Sequence, residues 1–185
     1  MKTRMRPIPA LAVLTLCLVL IPAGPPVSAG PSETQVKAAY VINFAKLTEW
    51  PAGALGRSED PFQICLIAQR DGLGTALSNL SGKTIQGHPM QIREGVRMGE
   101  LRSCQLVVLE AGDEGRLPNV LEALSNGHTL TIGDFEDFSR RGGMIELATQ
   151  DNRIVFDINR DATSRAGLSP SAQLLKLARV IRQKR

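Results

Sequence analysis

Residues 36–51, VKAAYVINFAKLTEWP, constrain this chain more than any other stretch. Apolar residues return at Val36, Ala39, Tyr40, Phe44 and Leu47, the i, i+3, i+4 rhythm of a helix face. Val41, Ile42 and Ala45 fill much of the remaining circumference, so Lys37 and Lys46 are the only charges before Glu49. A helix apolar nearly all round needs cover on more than one side. It is expected in a core, with a protein interface as the alternative. Pro51 is expected to end it, because proline disfavours the α conformation in the residue before it, here Trp50. The only Trp and the only Tyr of the chain, Trp50 and Tyr40, both fall in this segment.

The first 29 residues have the order of a secretory signal peptide. Lys2, Arg4 and Arg6 form a basic start, residues 11–21 an apolar run, and Val27-Ser28-Ala29 a small-residue cleavage site. The run is too short to span a bilayer comfortably. Cys17 lies inside it, after Thr15-Leu16, where a lipidated cysteine would follow small residues; a lipoprotein signal is set aside. Cleavage after Ala29 leaves residues 30–185, enough for one domain with a real core. It also removes three basic and no acidic residues, lowering the formal net charge from +4 to +1. That leaves no electrostatic case for nucleic acid. No later stretch reaches transmembrane length, so a soluble periplasmic domain is expected.

With the leader gone, Cys65 and Cys104 remain as an even pair in an oxidising compartment and read as a disulfide. Closing a loop of about 40 residues would stabilise the fold by roughly 4 kcal/mol on the chain-entropy account. The alternative is two buried thiols in adjacent strands.

Short apolar runs place the strands. Residues 62–68 (FQICLIA) and 104–109 (CQLVVL) have the length of buried strands, and residues 89–94 and 128–132 supply two more. Between them Leu73, Ala76, Leu77 and Leu80, and later Leu117, Val120, Leu121 and Leu124, recur at helical spacing, the first helix capped by Asp71. A helical turn is expected over residues 98–101. Residues 144–149 and 153–158 bracket Gln150-Asp151-Asn152 as a hairpin, with Ile154, Phe156 and Ile158 on one side and Val155 and Asp157 on the other. Residues 159–166 read as helix, stopped by Gly167. Ser169-Pro170 then opens a last helix with Leu174, Leu175, Ala178 and Ile181 on its buried stripe and Arg179, Arg182, Lys184 and Arg185 at its dipole-compatible end. The expected fold is one α/β domain: a mostly parallel central sheet of about six strands, flanked by helices, with a C-terminal hairpin and helix.

Few residues group into chemistry. Gly72-Leu73-Gly74 follows a strand and opens a helix, with Glu94 downstream, but Leu77 stands where a dinucleotide site wants a third glycine. His88 and His128 lack metal-ligand spacing from the cysteines, and there is no C-x-x-C. Asp134, Glu136 and Asp137 form an acidic turn that reads as caps and a solvated face. Gly142-Gly143 lacks the Lys and Ser/Thr of a P-loop. No catalytic set, metal site or cofactor is expected.

Taken together, the leader, the helix ending Glu49-Trp50-Pro51 and the cysteine pair resemble the YfiR family of periplasmic regulators. The likeness is carried at the front by Lys37-Ala38-Ala39-Tyr40, Asn43-Phe44-Ala45-Lys46 and Trp50-Pro51. At the back it is carried by Gly142-Gly143-Met144-Ile145, residues 153–159 (RIVFDIN), Ala166-Gly167-Leu168 and residues 171–180 (SAQLLKLARV). Cys65 and Cys104 fit that family's inter-strand bridge; the second cysteine pair some relatives carry near the Gly-Gly-Met segment is absent here. The resemblance implies a non-enzymatic inhibitor that binds the periplasmic sensor portion of an inner-membrane diguanylate cyclase, limiting cyclic di-GMP and biofilm formation. It also implies an outer-membrane, peptidoglycan-binding lipoprotein that draws the inhibitor away. A homodimer is a further expectation.

The rival class is a periplasmic small-ligand-binding protein or transport accessory, with the acidic turn lining a cleft at the strand ends. A thiol oxidoreductase is a weaker third. For the regulator, part of the partner-binding surface is expected at Asp157, Arg165 and Leu168, an apolar anchor flanked by an acid and an arginine. The alternative is a surface salt bridge between Asp157 and Arg165.

Overall fold

In chain order the elements are α1 (Glu33–Lys46), β1 (Thr48–Glu49), β2 (Phe62–Leu66), α2 (Leu73–Ser78), β3 (Thr84–Ile85), β4 (His88–Arg93), a 3-10 turn (Met98–Ser103), β5 (Leu106–Leu109), α3 (Leu117–Ala123), β6 (Leu130–Gly133), β7 (Ile145–Gln150), β8 (Arg153–Asn159), α4 (Arg160–Arg165), β9 (Ser169–Pro170), α5 (Ala172–Leu177) and β10 (Val180–Arg182). The structure, a computed structural model, describes residues 30–182 except 70, 71 and 81. The expected leader with Cys17, the Asp71 cap, and the terminal Lys184 and Arg185 lie outside the described residues.

The main sheet has the order β10-β8-β7-β6-β5-β2-β4-β3. Strands β4, β2, β5, β6 and β7 run parallel, as the alternation of strands and helices predicts. The β7–β8 hairpin is antiparallel over six pairs, from Ile145↔Ile158 to Gln150↔Arg153. Its turn residues Asp151 and Asn152 both take positive φ (49° and 60°), the type I′ geometry whose twist matches the strands.

Two elements beyond the expected six strands extend the sheet. β3 is a two-residue partner of β4, too short to register as a pattern. The more instructive difference is β10. The helix expected to run from Ser169 to the C-terminus stops at Leu177, and Val180–Arg182 pairs parallel with Asp157–Asn159. Helical spacing of Leu174, Leu175 and Ala178 is real, but the open edge of β8 competes for the backbone that follows. Arg179 N–H donates to the Phe156 carbonyl (2.8 Å), which fixes the switch.

Helix α1 also ends earlier than expected, at Lys46 rather than Trp50. Thr48 and Glu49 turn extended to pair with Pro170 and Ser169, and Leu47 O accepts from Ser171 N. Gln86 Nε2 donates to the carbonyls of Ala45 (3.2 Å) and Thr48 (2.6 Å), satisfying a helix end that lacks its own partners. Pro51 therefore follows the stop and does not cause it. At the other end Ser32 and Gln35 form a reciprocal capping box.

Alternation along the strands sorts side chains into two cores. Phe62, Ile64, Leu106, Val108, Phe156 and Ile158 face α1, whose Ala38, Val41, Ile42, Phe44 and Ala45 are buried against them. The core reading of α1 holds. On the opposite face Cys65, Ile67, Val107 and Leu109 meet Leu101, Leu117, Val120 and Phe138. There Cys65 and Cys104 are bonded, with Cα atoms 6.0 Å apart, within the reach a disulfide requires.

Candidate functional site

Alternation sends Asp157 away from Phe156 and Ile158, as the pattern predicts, but that second face is covered too. Asp157 is 2% exposed, and its two carboxylate oxygens accept from Arg179 Nε (2.9 Å) and a terminal nitrogen (3.1 Å). This two-point fork is the strong form of an ion pair. Directly across the hairpin stands Glu146, also buried. Like charges in register repel, so each carboxylate has its own donors: Glu146 accepts from the Ser139 N–H (2.9 Å) and hydroxyl (2.8 Å). The hydrogen bond with Asp157 raises the Arg179 guanidinium above its ordinary value; burial opposes this, and the charges of Asp157 and Glu146 add to it.

The expected outward-facing acid at 157 is thus corrected to a buried one, and its cation is Arg179, not Arg165. Leu168 is corrected as well: it is 2% exposed. Gly167 (φ 71°) closes α4 with a Schellman motif, its N–H donating to Ser164 O (3.0 Å) while Leu168 N–H donates to Thr163 O (2.9 Å). That motif turns the residue after the glycine back onto the core, so Leu168 packs inward. Arg165 alone of the three stays on the surface, at the mouth of a cleft of about 300 Å³ between the ends of α3 and α4, floored by Leu124, Met144 and Ala162. It sits in the last turn of α4, where a cation complements the helix dipole.

The other groups singled out in the sequence have structural partners. The Glu94 carboxylate lies against Gly74, where an added Cβ would come within 2.4 Å of it, so the protein's own acid fills the approach to α2. His88 Nδ1 donates to Asp60 O (3.0 Å), and His128 Nδ1 donates to Ala166 O (2.7 Å). Gly143 is needed for close packing, since a Cβ there would overlap the Phe138 ring. Asp134 accepts from Lys37 Nζ at 2.8 Å. Lys37 is also 2.8 Å from Glu33, which accepts from the Thr149 hydroxyl. Burial pushes the Lys37 ammonium down, but its bonds to Asp134 and Glu33 outweigh this and hold it above the ordinary lysine value. Asp137 pairs with Arg140 on the surface.

Sequence reasoning missed Arg179, Glu146 and Asn159, which caps α4 through its side-chain oxygen and donates to Ser139 O. One signal was available: an acid flanked by buried-type residues on each hairpin strand (Ile145-Glu146-Leu147 and Phe156-Asp157-Ile158) asks for a cation nearby. The same segment ends in an apolar surface. Leu177, the last residue of α5, is 64% exposed, and Val180 is 38% exposed.

A family model described as YfiR/HmsC-like matches residues 34–179, well over half of the chain. No curated protein matches by sequence. Solved structures share the fold, two of them as follows. One is a conserved domain protein from Vibrio cholerae O1 biovar El Tor, with a TM-score of 0.53 and 9% identity over 82% of this chain and 60% of that one. The other is an ABC domain in complex with L-Trp from Streptococcus pneumoniae, with a TM-score of 0.51 and 9% identity over 78% of this chain and 62% of that one. This chain thus spans about 60% of the length of the structures it resembles. At that identity the likeness is one of fold alone.

Proposed function

The chain belongs to the YfiR/HmsC-like family, and on that premise we propose that it works in the periplasm as a stoichiometric inhibitor of an inner-membrane diguanylate cyclase. The observation that carries the reading is the family match across residues 34–179, from the first turn of α1 through α5. The bonded Cys65–Cys104 pair supports an oxidising compartment. Among the described residues no helix is long and apolar enough to cross a membrane. Binding the cyclase's periplasmic portion lowers cyclic di-GMP and biofilm formation, and an outer-membrane, peptidoglycan-binding lipoprotein relieves that inhibition by competing for the inhibitor. Asp134, Glu146 and Asp157 each serve to hold elements together, consistent with a protein that acts by binding.

Small-ligand binding is the second reading, favoured by the Arg165 cleft and by the L-Trp held by a protein of similar fold. It ranks lower because the likeness to the L-Trp-bound protein is one of fold alone, at 9% identity. Deletion of the gene should raise cyclic di-GMP, re-expression of the exported chain should lower it, and the purified chain should form a defined complex with the cyclase's periplasmic domain. Unchanged cyclic di-GMP together with no complex would overturn the reading.

A further inference from the structure

We infer that the groove between α1 and α5 receives an acidic, amphipathic segment of the partner protein, which seats an apolar side chain on the floor and carboxylates against the rim. This rests on the regulatory reading above and names the chemistry of its partner.

The groove has a volume of about 310 Å³ and is walled by Tyr40 from α1, Leu47 just past its end and Leu177 from α5, over a floor of Phe44, Phe156 and Leu174. The Phe44 and Phe156 rings meet edge to face, with centroids 4.8 Å apart, so the floor is rigid and aromatic. Leu174 is buried, whereas Leu177, one turn on, projects past the core. The fold gains nothing from leaving Leu177 and Val180 in water. Anchor pockets of this kind carry most of the energy of an interface.

The rim sets the sign of the occupant. Lys46, which closes α1, lines the groove, is exposed, and among the described residues has no acidic partner; Lys176, also exposed, lies in the same turn of α5 as the lining residues Gln173 and Leu177. Among the described residues no carboxylate lines the groove. A second copy offering the same surface would set lysines against lysines across a two-fold axis. A concave floor between two helices suits an inserted side chain from a helix or extended segment more than the plane of a lipid surface.

The test uses the full exported chain. Lys46→Glu with Lys176→Glu, and separately Leu177→Glu, change only exposed positions, and thermal melting checks that they fold. Each should weaken binding to the cyclase's periplasmic domain by about tenfold or more. A designed peptide with Leu and Phe anchors and Glu at its polar positions should shift the amide resonances of Leu177 and Lys46, more weakly as salt rises; its Lys-substituted counterpart should not. Folded variants that bind the cyclase domain as tightly as wild type would overturn the groove while leaving the regulator intact. A wild-type chain that ignores the cyclase domain but takes up the acidic peptide would overturn the regulatory reading and keep the groove. Binding to anionic phosphatidylglycerol vesicles in place of the peptide, or a dimer that Leu177→Glu dissociates, would replace the protein segment by a membrane or by a second copy, and either overturns the proposal.

Discussion

The two faces of the sheet bury their side chains by different means. Under α1 the space is filled by packing. Tyr40, Phe44 and Phe156 stack in tilted and edge-to-face contacts with centroids 4.8 to 5.9 Å apart, and the core runs from Ile85 to Leu174. Under α3 the apolar cluster is smaller, is crossed by the Cys65–Cys104 bond, and gives way toward β7 and β8 to the buried polar groups Ser139, Glu146 and Asp157. A face with enough apolar surface closes itself by dispersion and dehydration. A face without it needs a covalent link at one end and a fully paired polar set at the other. The larger face has apolar surface left over at α5, and that surplus is what a partner can use.

The sharpest way to break this contrast is to empty the packed face. Phe44→Ala should cost about 3–5 kcal/mol, since a fully buried ring would leave a cavity between α1 and β8; urea denaturation measures it. Nearly as large an effect is expected on the stapled face. Cys65→Ala with Cys104→Ala should cost about 4 kcal/mol for a loop of 39 residues. Hydrogen exchange sharpens the comparison: losing the disulfide should deprotect Val107 and Leu109 sooner than the α1 amides. Equal deprotection on both faces would show that the staple serves the whole domain.

Smaller effects probe the polar end. Arg179→Met leaves Asp157 without its cation, a loss of roughly 2 kcal/mol once the partial exposure of Arg179 is allowed for. Adding Asp157→Asn should recover part of that in the melting temperature, because the buried charge goes as well. The smallest effect is at the Lys37 strut, about 1 kcal/mol or less. The folded Lys37 value is raised, so its contribution is whole below the ordinary lysine value of 10.5 and is lost as pH climbs through the folded value. Glu33 is lowered, first by its bond to Lys37 and then by Thr149, so its share is present above the ordinary 4.5 and lost as pH falls through the folded value. Lys37→Met should flatten the alkaline limb of a melting-temperature profile.

Local pattern carried much of this fold into the sequence. The buried runs at Phe62 and Leu106, the β7–β8 hairpin and the cysteine pair each depend on near neighbours or on a compartment, and each is found as expected; α1 is a core helix as expected, but it buries Ala38, Val41, Ile42, Phe44 and Ala45 and leaves Ala39 of the expected face exposed. What escaped was non-local. The stop of α1 depends on Ser169–Pro170 and Gln86, and the β10 strand depends on the open edge of β8. Asp157 shows the limit most clearly. Period-two alternation gave its direction correctly, but whether that direction meets water is decided by Arg179, twenty-two residues later. Leu168, expected on the partner-binding surface, failed because the Schellman geometry at Gly167 folds the next residue inward.

The disulfide also bears on how such a chain matures. Past residue 29 it has two cysteines, so a monomer has one pairing and no isomer to correct. For a chain threaded N-terminus first into an oxidising compartment, both thiols emerge ahead of β6 to β10, and an oxidase can close the loop while the tail is still in transit. The β2 end of the sheet is then tied to the start of β5 before β6 to β10 have entered the compartment. Maturation should accordingly call on an oxidase but not on a disulfide isomerase, which pulse-labelled export in strains lacking each enzyme would separate.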